Sequence, residues 1–347
     1  MDRAVPGIVS SRTMNRRSTA FPRRTFLQSL GTATASLLLD GVGTGTSDGL
    51  RAQAGPVQPC PAIDTHIHIY DPDRPQGVPW PPKNLEVLYS THLPPRFVTL
   101  AEPLGVVGAM VVEASPWVED NQWVLDIAKD SPIIVGFIGN LPVGQPQFAS
   151  QLKRFAANPF FRGLRLRDVT LPKGPGEAAF ADDIRRLADR HLTLDIVGGT
   201  PILADVLRLK HMAPDLRVVI DHLPFHEWDE AGPPALRRAL VEVAQLPNVC
   251  IKISEVPRRA GGRLIEDADF YRPTLDALWD LFGPDRAFYG SNWPVSDLVA
   301  PYADLYKIVT TYFAAKGETA AQKFFWKNSL AAYSWLPRGK AARLLPK

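Results

Sequence analysis

From about residue 61 onward, short apolar runs alternate with longer amphipathic stretches. The apolar runs predict β-strands at 62–68, 108–114, 133–139, 163–167, 193–197, 217–222, 249–254 and 286–291. The amphipathic stretches predict helices at 123–129, 148–157, 178–190, 202–211, 234–245, 271–281, 302–315 and 320–332. Strands and helices in this alternation predict an α/β fold, a (β/α)8 TIM barrel formed by a single domain with an extra C-terminal helix.

A doubly wound open sheet is the alternative architecture. Such sheets usually have fewer strands and often a glycine-rich first turn, and this sequence contains neither a GxGxxG nor a Walker-type loop. The proline-rich segment 71–82 follows the first predicted strand. In a barrel, the loop at that point lies on the face that carries the active site.

Polar side chains stand at or near the ends of most of the predicted strands. In chain order they are His66, His68, Glu113, Arg165, Arg167, Asp195, Asp221, His222, Lys252, Ser254, Ser291 and Asn292. The catalytic groups of barrel enzymes come from the carboxyl ends of the strands, where ionisable residues are otherwise rarely buried. The pattern therefore predicts one site that draws residues from several strands.

The histidine pair His66 and His68 is the first element of this site. A spacing of two on a strand places both imidazoles on the same face, where they can point into the barrel mouth. His222, at the end of the sixth predicted strand, can orient a substrate carbonyl, bind a metal, or be positioned by Asp221. Hydrogen-bonded histidines in a rigid barrel mouth are the structural alternative.

Four segments together resemble the amidohydrolase superfamily, in particular its amidohydrolase-2 branch. They are the first-strand H-x-H, the I-D-H that ends at His222, the K-I-S of 252–254 and the G-S-N-W-P-V of 290–295. The R-G-L-R of 162–165 is similar to a further segment of that branch. The resemblance covers about residues 60 to 347. That branch contains lactonases acting on pyrone dicarboxylates, sulfomuconolactone and sugar-acid lactones, so the resemblance implies a lactonase activity for this protein.

The chemistry that the resemblance implies is attack of water on a lactone or ester carbonyl, as in a carboxylic ester hydrolase. A carboxylate on the eighth strand would be the general base, while histidines and arginines polarise the carbonyl and hold the substrate. This sequence has Asn292 at that position, and an amide cannot accept a proton from water. Asp195, Glu113 and Asp297 are the replacement candidates, in that order.

Asn292 also keeps other functions open. Some relatives with asparagine at this position are isomerases of sugar-acid lactones, and other branches of the superfamily are metal-dependent decarboxylases. A barrel that binds a small molecule without catalysis is the third alternative. The expected catalytic set is His66, His68, His222, Asn292 and Asp195.

The presence of Asn292 in place of a carboxylate also affects the cofactor prediction. On this scaffold Zn²⁺ would use His66 and His68, usually with a strand-eight carboxylate. With Asn292 present, the best set is His66, His68 and His222, which could also bind another divalent metal. Some members of the lactonase branch work without metal, and we slightly favour a reaction that requires none.

The expected substrate contacts come from charged and aromatic side chains. Arg165 and Arg167 could form a fork for substrate carboxylates, or pair with Asp195 or Glu113 inside the barrel. The remaining candidates are Glu113, Arg258 and Trp80. Trp80 belongs to a set, with Trp117, Trp228 and Trp293, that could form a wall of the substrate pocket or only pack.

The charge and composition of the chain limit the classes of molecule that it is expected to bind. The formal charge of +3 comes from residues 1–54, which carry seven arginines and three aspartates. Because the rest of the chain is close to neutral, we expect a small-molecule substrate and no nucleic-acid or membrane-surface partner. The sequence does not predict the oligomeric state. Cys60 and Cys250 could form a disulfide or remain separate thiols.

Residues 1–54 predict an export signal. Arg23 and Arg24 form a twin-arginine pattern, the moderately apolar run 29–39 follows, and Ala52-Gln53-Ala54 fits a cleavage site. The run is too short to span a bilayer. The mature chain is therefore expected to be a soluble periplasmic barrel that starts near Gly55. A disordered tail with two adjacent arginines is the alternative.

Overall fold

The structure is a computed structural model that describes residues 60–167, 171, 172, 174, 176–199, 201–222 and 234–346. The chain divides into Met1–Gly55 and Pro56–Lys347, and all of the described residues belong to the second unit. The predicted signal segment and Trp228 lie outside the described residues. Among the described helices, none is both long and apolar enough to cross a membrane.

Eight parallel strands form one sheet in chain order. They are β1 (Ala62–Ile67), β2 (Val106–Val112), β3 (Ile134–Gly139), β4 (Phe161–Arg167), β5 (Thr193–Val197), β6 (Arg217–Ile220), β7 (Val249–Ile253) and β8 (Ala287–Tyr289). Beyond β8, the Asn292 amide donates to the His66 carbonyl at 2.8 Å and the His68 amide to the Trp293 carbonyl at 2.7 Å. These bonds join the last strand region to the first, which confirms the predicted (β/α)8 barrel.

A helix follows each strand. The helices are α1 (Pro94–Ala101), α2 (Asp120–Asp130), α3 (Phe148–Ala156), α4 (Glu177–Asp189), α5 (Ile202–Met212), α6 (Pro234–Ala244), α7 (Ala268–Phe282) and α8 (Tyr302–Lys316). The C-terminal extension continues through α9 (Glu318–Gln322), a π-helical turn (Lys323–Lys327) and α10 (Asn328–Tyr333). Helix α1 is absent from the predicted elements. It begins with Pro94 and Pro95, and two adjacent prolines usually indicate a loop, although proline is well tolerated in the first turn of a helix.

Two apolar cores hold this arrangement. The larger lies between the strands and the surrounding helices, and the smaller fills the barrel interior with Ile63, Met110, Val219 and Phe288. Tyr333 and Trp335 of the C-terminal segment join the inner core. The amide of Leu336 donates to the Val135 carbonyl, at the start of β3, at 2.8 Å. The C-terminal segment therefore closes the amino-terminal end of the barrel and leaves the carboxyl end for a site.

Candidate active site

The three predicted histidines come together at the carboxyl end of the barrel. His66 and His68 are buried, and their ring centroids lie 5.0 Å apart. The ring of His222, just after β6, lies 4.4 Å from that of His66. A Cβ atom on Gly290 would stand 2.8 Å from the His66 Cβ, so the glycine after β8 allows this close packing. The structure thus brings together residues from β1, β6 and β8 around one mouth.

Backbone strain is concentrated at the same place. His222, Glu255 and Asn292 follow β6, β7 and β8, and they have φ values of 58°, 55° and 63°. Residues with a β-carbon rarely adopt this left-handed region, which costs roughly 1–3 kcal/mol per residue. Such strain in three consecutive loops is typical of a functional site, where the direction of the side chains is maintained at a cost in backbone conformational energy.

Asn292 connects one of the histidines to a carboxylate. His68 donates its Nδ1–H to the Val112 carbonyl at 2.9 Å, and its Nε2 lies 3.0 Å from Asn292 Oδ1. Asn292 Nδ2 donates to Glu255 Oε1. Glu255 is not among the predicted site residues, although it directly follows the K-I-S segment. Its proximity to Ser254 and Lys252 at a strand end was the available signal.

A buried ion cluster lies beneath His66. Lys252 is fully buried, and its Nζ lies 2.8 Å from Asp195 Oδ2, 2.9 Å from Asp221 Oδ1 and 3.3 Å from His66 Nδ1. Burial raises the pKa of Asp195, which also accepts a hydrogen bond from Tyr333. Burial would also raise the pKa of Asp221, but Lys252 and His66 hold it well below its usual value. Asp195 is therefore occupied by Lys252 and Tyr333, below the mouth.

Arg165 and Arg167 both hold Glu113. Each donates its Nε–H to Glu113 Oε1 at 2.8 Å, and each also donates to the Glu113 carbonyl. Of the two alternatives that the sequence left open, the described structure has the pairing with Glu113. Arg165 is buried and its Nη1 lies 3.3 Å from His66 Nε2, whereas the side chain of Arg167 is 47% exposed. Arg167 is the member of the pair that solvent and a ligand can reach.

The electrostatic surroundings keep the imidazoles uncharged. Burial lowers the pKa of His66 and His68 well below the usual value, and Arg165 and Arg167 add to the effect at His68. Burial also lowers the pKa of His222, whose Nδ1 lies 2.7 Å from the Ser254 hydroxyl. Neutral imidazoles at neutral pH can donate or accept a hydrogen bond at the mouth.

The residues do not fit the predicted three-histidine metal site. Both ring nitrogens of His68 are engaged, by Val112 and by Asn292. The donor atoms that do lie within 4.8 Å of one another come from His66, Asp221 and His222. However, the two nitrogens of His66 face the cations Lys252 and Arg165 at 3.3 Å each. A divalent ion there would be adjacent to two positive charges that already balance the nearby carboxylates.

A small cleft with aromatic walls adjoins the mouth. Tyr70, Arg74, Trp80, Glu113 and Trp117 contribute to its lining. The Trp80 ring lies 5.9 Å from that of His68 and 5.3 Å from that of Tyr70. The predicted proline-rich loop therefore brings Trp80 next to the histidines. Glu113 lines the same cleft and also binds Arg165 and Arg167.

The remaining candidates lie around this centre. Arg258 donates to the backbone carbonyls of Glu255, Val256 and Pro257, so it holds the loop that carries Glu255. Asp297 lies on the 3-10 turn Val295–Leu298, where burial raises its pKa to about 6. Cys60 and Cys250 are both free thiols.

Comparison with known proteins gives consistent matches. The family model described as Amidohydrolase matches residues 63–335. A protein named L-fucono-1,5-lactonase from Burkholderia ambifaria is 28% identical, over 70% of this chain and 83% of its own length. A protein of the same name from Burkholderia multivorans is also 28% identical, over 81% of this chain and 98% of its own.

Solved structures share the fold. The crystal structure of an amidohydrolase from Burkholderia multivorans with bound zinc matches with a TM-score of 0.68 and 23% identity. The match covers 79% of this chain and 99% of that one. At this identity the similarity establishes the barrel architecture and no more.

Proposed function

We propose that this chain, which belongs to the amidohydrolase family, hydrolyses the ring ester of a small carboxylated lactone. The observation that carries the proposal is the convergence of three neutral imidazoles, Asn292 and a carboxylate at the open end of the barrel. Relatives named L-fucono-1,5-lactonase support lactone-ring opening as the reaction. The enzyme is accordingly a carboxylic ester hydrolase of the lactonase type.

The site provides distinct groups for binding and for activation. His222 faces the mouth and is half-buried, so it can donate a hydrogen bond to the lactone carbonyl oxygen as negative charge develops there. Arg167 is the exposed cation that can hold a substrate carboxylate. Trp80 offers a flat apolar face for the ring. His66 is fixed by Lys252 and Arg165 and positions the ring of His222.

This chemistry uses the protein's own side chains, and we propose that it proceeds without a resident metal. The donor set supports that proposal because Lys252 and Arg165 already face both nitrogens of His66. A pH-stat assay with sugar-acid lactones, a pyrone dicarboxylate and sulfomuconolactone tests the function. We expect base consumption with at least one of them, and His222→Ala should lower its rate by about 100-fold or more. Loss of lactone without acid release would instead indicate isomerisation.

We further propose that residues 1–54 direct twin-arginine export and that the mature enzyme acts in the periplasm. The order of the twin arginines, the apolar run and the Ala52-Gln53-Ala54 site supports this. N-terminal sequencing of protein from the periplasmic fraction should give a start near Gly55. Replacing Arg23 and Arg24 together with lysine should retain the chain in the cytoplasm. Export of that variant at the wild-type level would contradict the proposal.

A further inference from the structure

The proline-rich segment 71–82, which we call the Trp80 loop, has little backbone attachment to the barrel. Five of its twelve residues are prolines, which have no N–H to donate. Among the described residues, the backbone of 71–81 makes backbone hydrogen bonds only within the loop. The Arg74 amide donates to the Asp71 carbonyl at 3.4 Å, and the Gly77 amide donates to the Arg74 carbonyl at 2.8 Å. The position of this loop therefore depends on side-chain contacts.

The side chain of Arg74 joins the middle of the loop to helix α2. Its Nη2 donates to Asp120 Oδ2 at 2.7 Å, and its Nε donates to the Gly77 carbonyl at 2.6 Å. One guanidinium thus closes the turn of the loop and binds the first residue of α2. The side chains of Arg74 and Asp120 are only 9% and 17% exposed, so their attraction is screened less than that of a surface ion pair.

Two tryptophans hold the same guanidinium. The Arg74 Cζ lies 4.8 Å from the ring centroid of Trp123 and 5.8 Å from that of Trp117. Trp123 follows Asp120 by three positions, so both side chains lie on the face of α2 that meets the loop. A planar guanidinium stacks on aromatic rings and donates hydrogen bonds in its own plane, which a lysine cannot do. This set of contacts is therefore specific for arginine at position 74.

The far end of the loop places Trp80 against the histidines of the mouth. The Trp80 ring is half-buried, and it lies 5.9 Å from the ring of His68 and 5.3 Å from that of Tyr70. Arg74 and Trp80 also line the same small cleft beside the mouth. Without the contact between Arg74 and α2, the turn at Gly77 loses its attachment, and the ring of Trp80 loses its fixed position.

We propose that Arg74 is a positioning residue for substrate binding, which fixes the Trp80 loop on α2 so that Trp80 presents its ring face to the lactone. The inference rests on the proposed lactone hydrolysis and assigns part of the selection of ring substrates to an arginine that does not touch them. Arg167 is 47% exposed and can hold a substrate carboxylate, whereas the Arg74 cation is bound by Asp120. Because Trp80 would contact the ring equally before and during the reaction, its displacement should raise KM and leave kcat largely unchanged.

The test measures kcat and KM separately in Arg74→Met, in Trp80→Leu and in the double variant. Arg74→Met should raise KM roughly tenfold, the size of one aromatic contact, and should leave kcat within about threefold. The rise should be equal for a carboxylated and a neutral lactone, since the Arg74 charge does not contact the substrate. Added to Trp80→Leu, Arg74→Met should raise KM by no more than about twofold, because the loop then has no indole ring to position.

Arg154→Met is the matched control. Arg154 binds Glu119, the residue before α2, through two hydrogen bonds of 2.8 Å, and its side chain is 42% exposed. This exposed pair has no described contact with the Trp80 loop, so its loss should leave KM within about twofold of the wild type. Asp120→Asn removes the ion pair from the helix side. It should also raise KM, and it decides the question if Arg74→Met fails to fold.

A KM rise confined to carboxylated lactones would show that Arg74 binds the substrate directly, and it would overturn the inference. An unchanged KM in Arg74→Met, or rises that multiply in the double variant, would also overturn it. If the wild type opens no lactone, the proposed function fails, and hydrogen–deuterium exchange of residues 71–82 tests the loop attachment alone. Exchange there should be about tenfold faster in Arg74→Met than in Arg154→Met; equal exchange contradicts the inference.

Discussion

Replacing the buried lysine beneath the site, Lys252→Met, should destabilise the barrel strongly. Its ammonium lies 2.8 Å from Asp195 and 2.9 Å from Asp221, and all three side chains are fully buried. Removing one partner of a buried ion cluster leaves uncompensated charge and typically lowers the free energy of unfolding by about 3–5 kcal/mol. Methionine keeps most of the volume, so the loss comes mainly from the charge rather than from a cavity.

Urea unfolding at pH 7.5, followed by tryptophan fluorescence, measures this loss. Lys340→Met is the matched control, because Lys340 pairs with Glu102 at 2.6 Å on the surface and should cost no more than about 1 kcal/mol. In Lys252→Met, the two carboxylates bind protons more readily when folded than when unfolded, so the loss should shrink as the pH falls towards 5. A loss below about 1 kcal/mol, or one that does not depend on pH, would show that the buried lysine does not hold the two carboxylates in this way.

Three further predictions concern the mouth and its support. His222→Ala should lower kcat/KM by about 100-fold or more with an unchanged circular dichroism spectrum, because the carbonyl loses its donor; wild-type turnover would remove this residue from the site. Arg167→Gln should raise KM roughly tenfold for a carboxylated lactone but not for a neutral one, since a charge-assisted bond is lost; an equal rise for both would contradict an anchoring role. Burial raises the pKa of Asp64 from 3.8 to about 6, so the stability that its protonated form contributes is lost as the pH rises from 4 to 6. Relative to Asp64→Asn, wild-type unfolding free energy should fall by up to about 3 kcal/mol across that range in urea titrations, and parallel pH curves would contradict it.

The barrel is largely predictable from the sequence because parallel strands are buried on both faces and form continuous apolar runs. The first and last predicted strands, 62–68 and 286–291, contain β1 and β8 but extend past them. Their final residues leave the ladder in order to present side chains to the mouth. The histidines and Asn292 are identifiable for the same reason, since polar residues at apolar strand ends are conspicuous.

Glu255 and the use of Asp195 could not be predicted in the same way. Glu255 reaches Asn292 only because of a left-handed backbone, which a glutamate does not signal in sequence. Asp195 accepts from Tyr333, which is 138 positions later in the chain, so its occupation depends on how the C-terminal segment packs. Both outcomes are set by tertiary geometry rather than by local pattern.

The most direct test of lactone hydrolysis at this site measures acid release and lactone loss together, with protein freed of metal by a chelator. We expect one equivalent of acid for each lactone consumed, at a rate that added divalent metal does not increase. Lactone loss without acid, or turnover that appears only when a divalent metal is added, would contradict it.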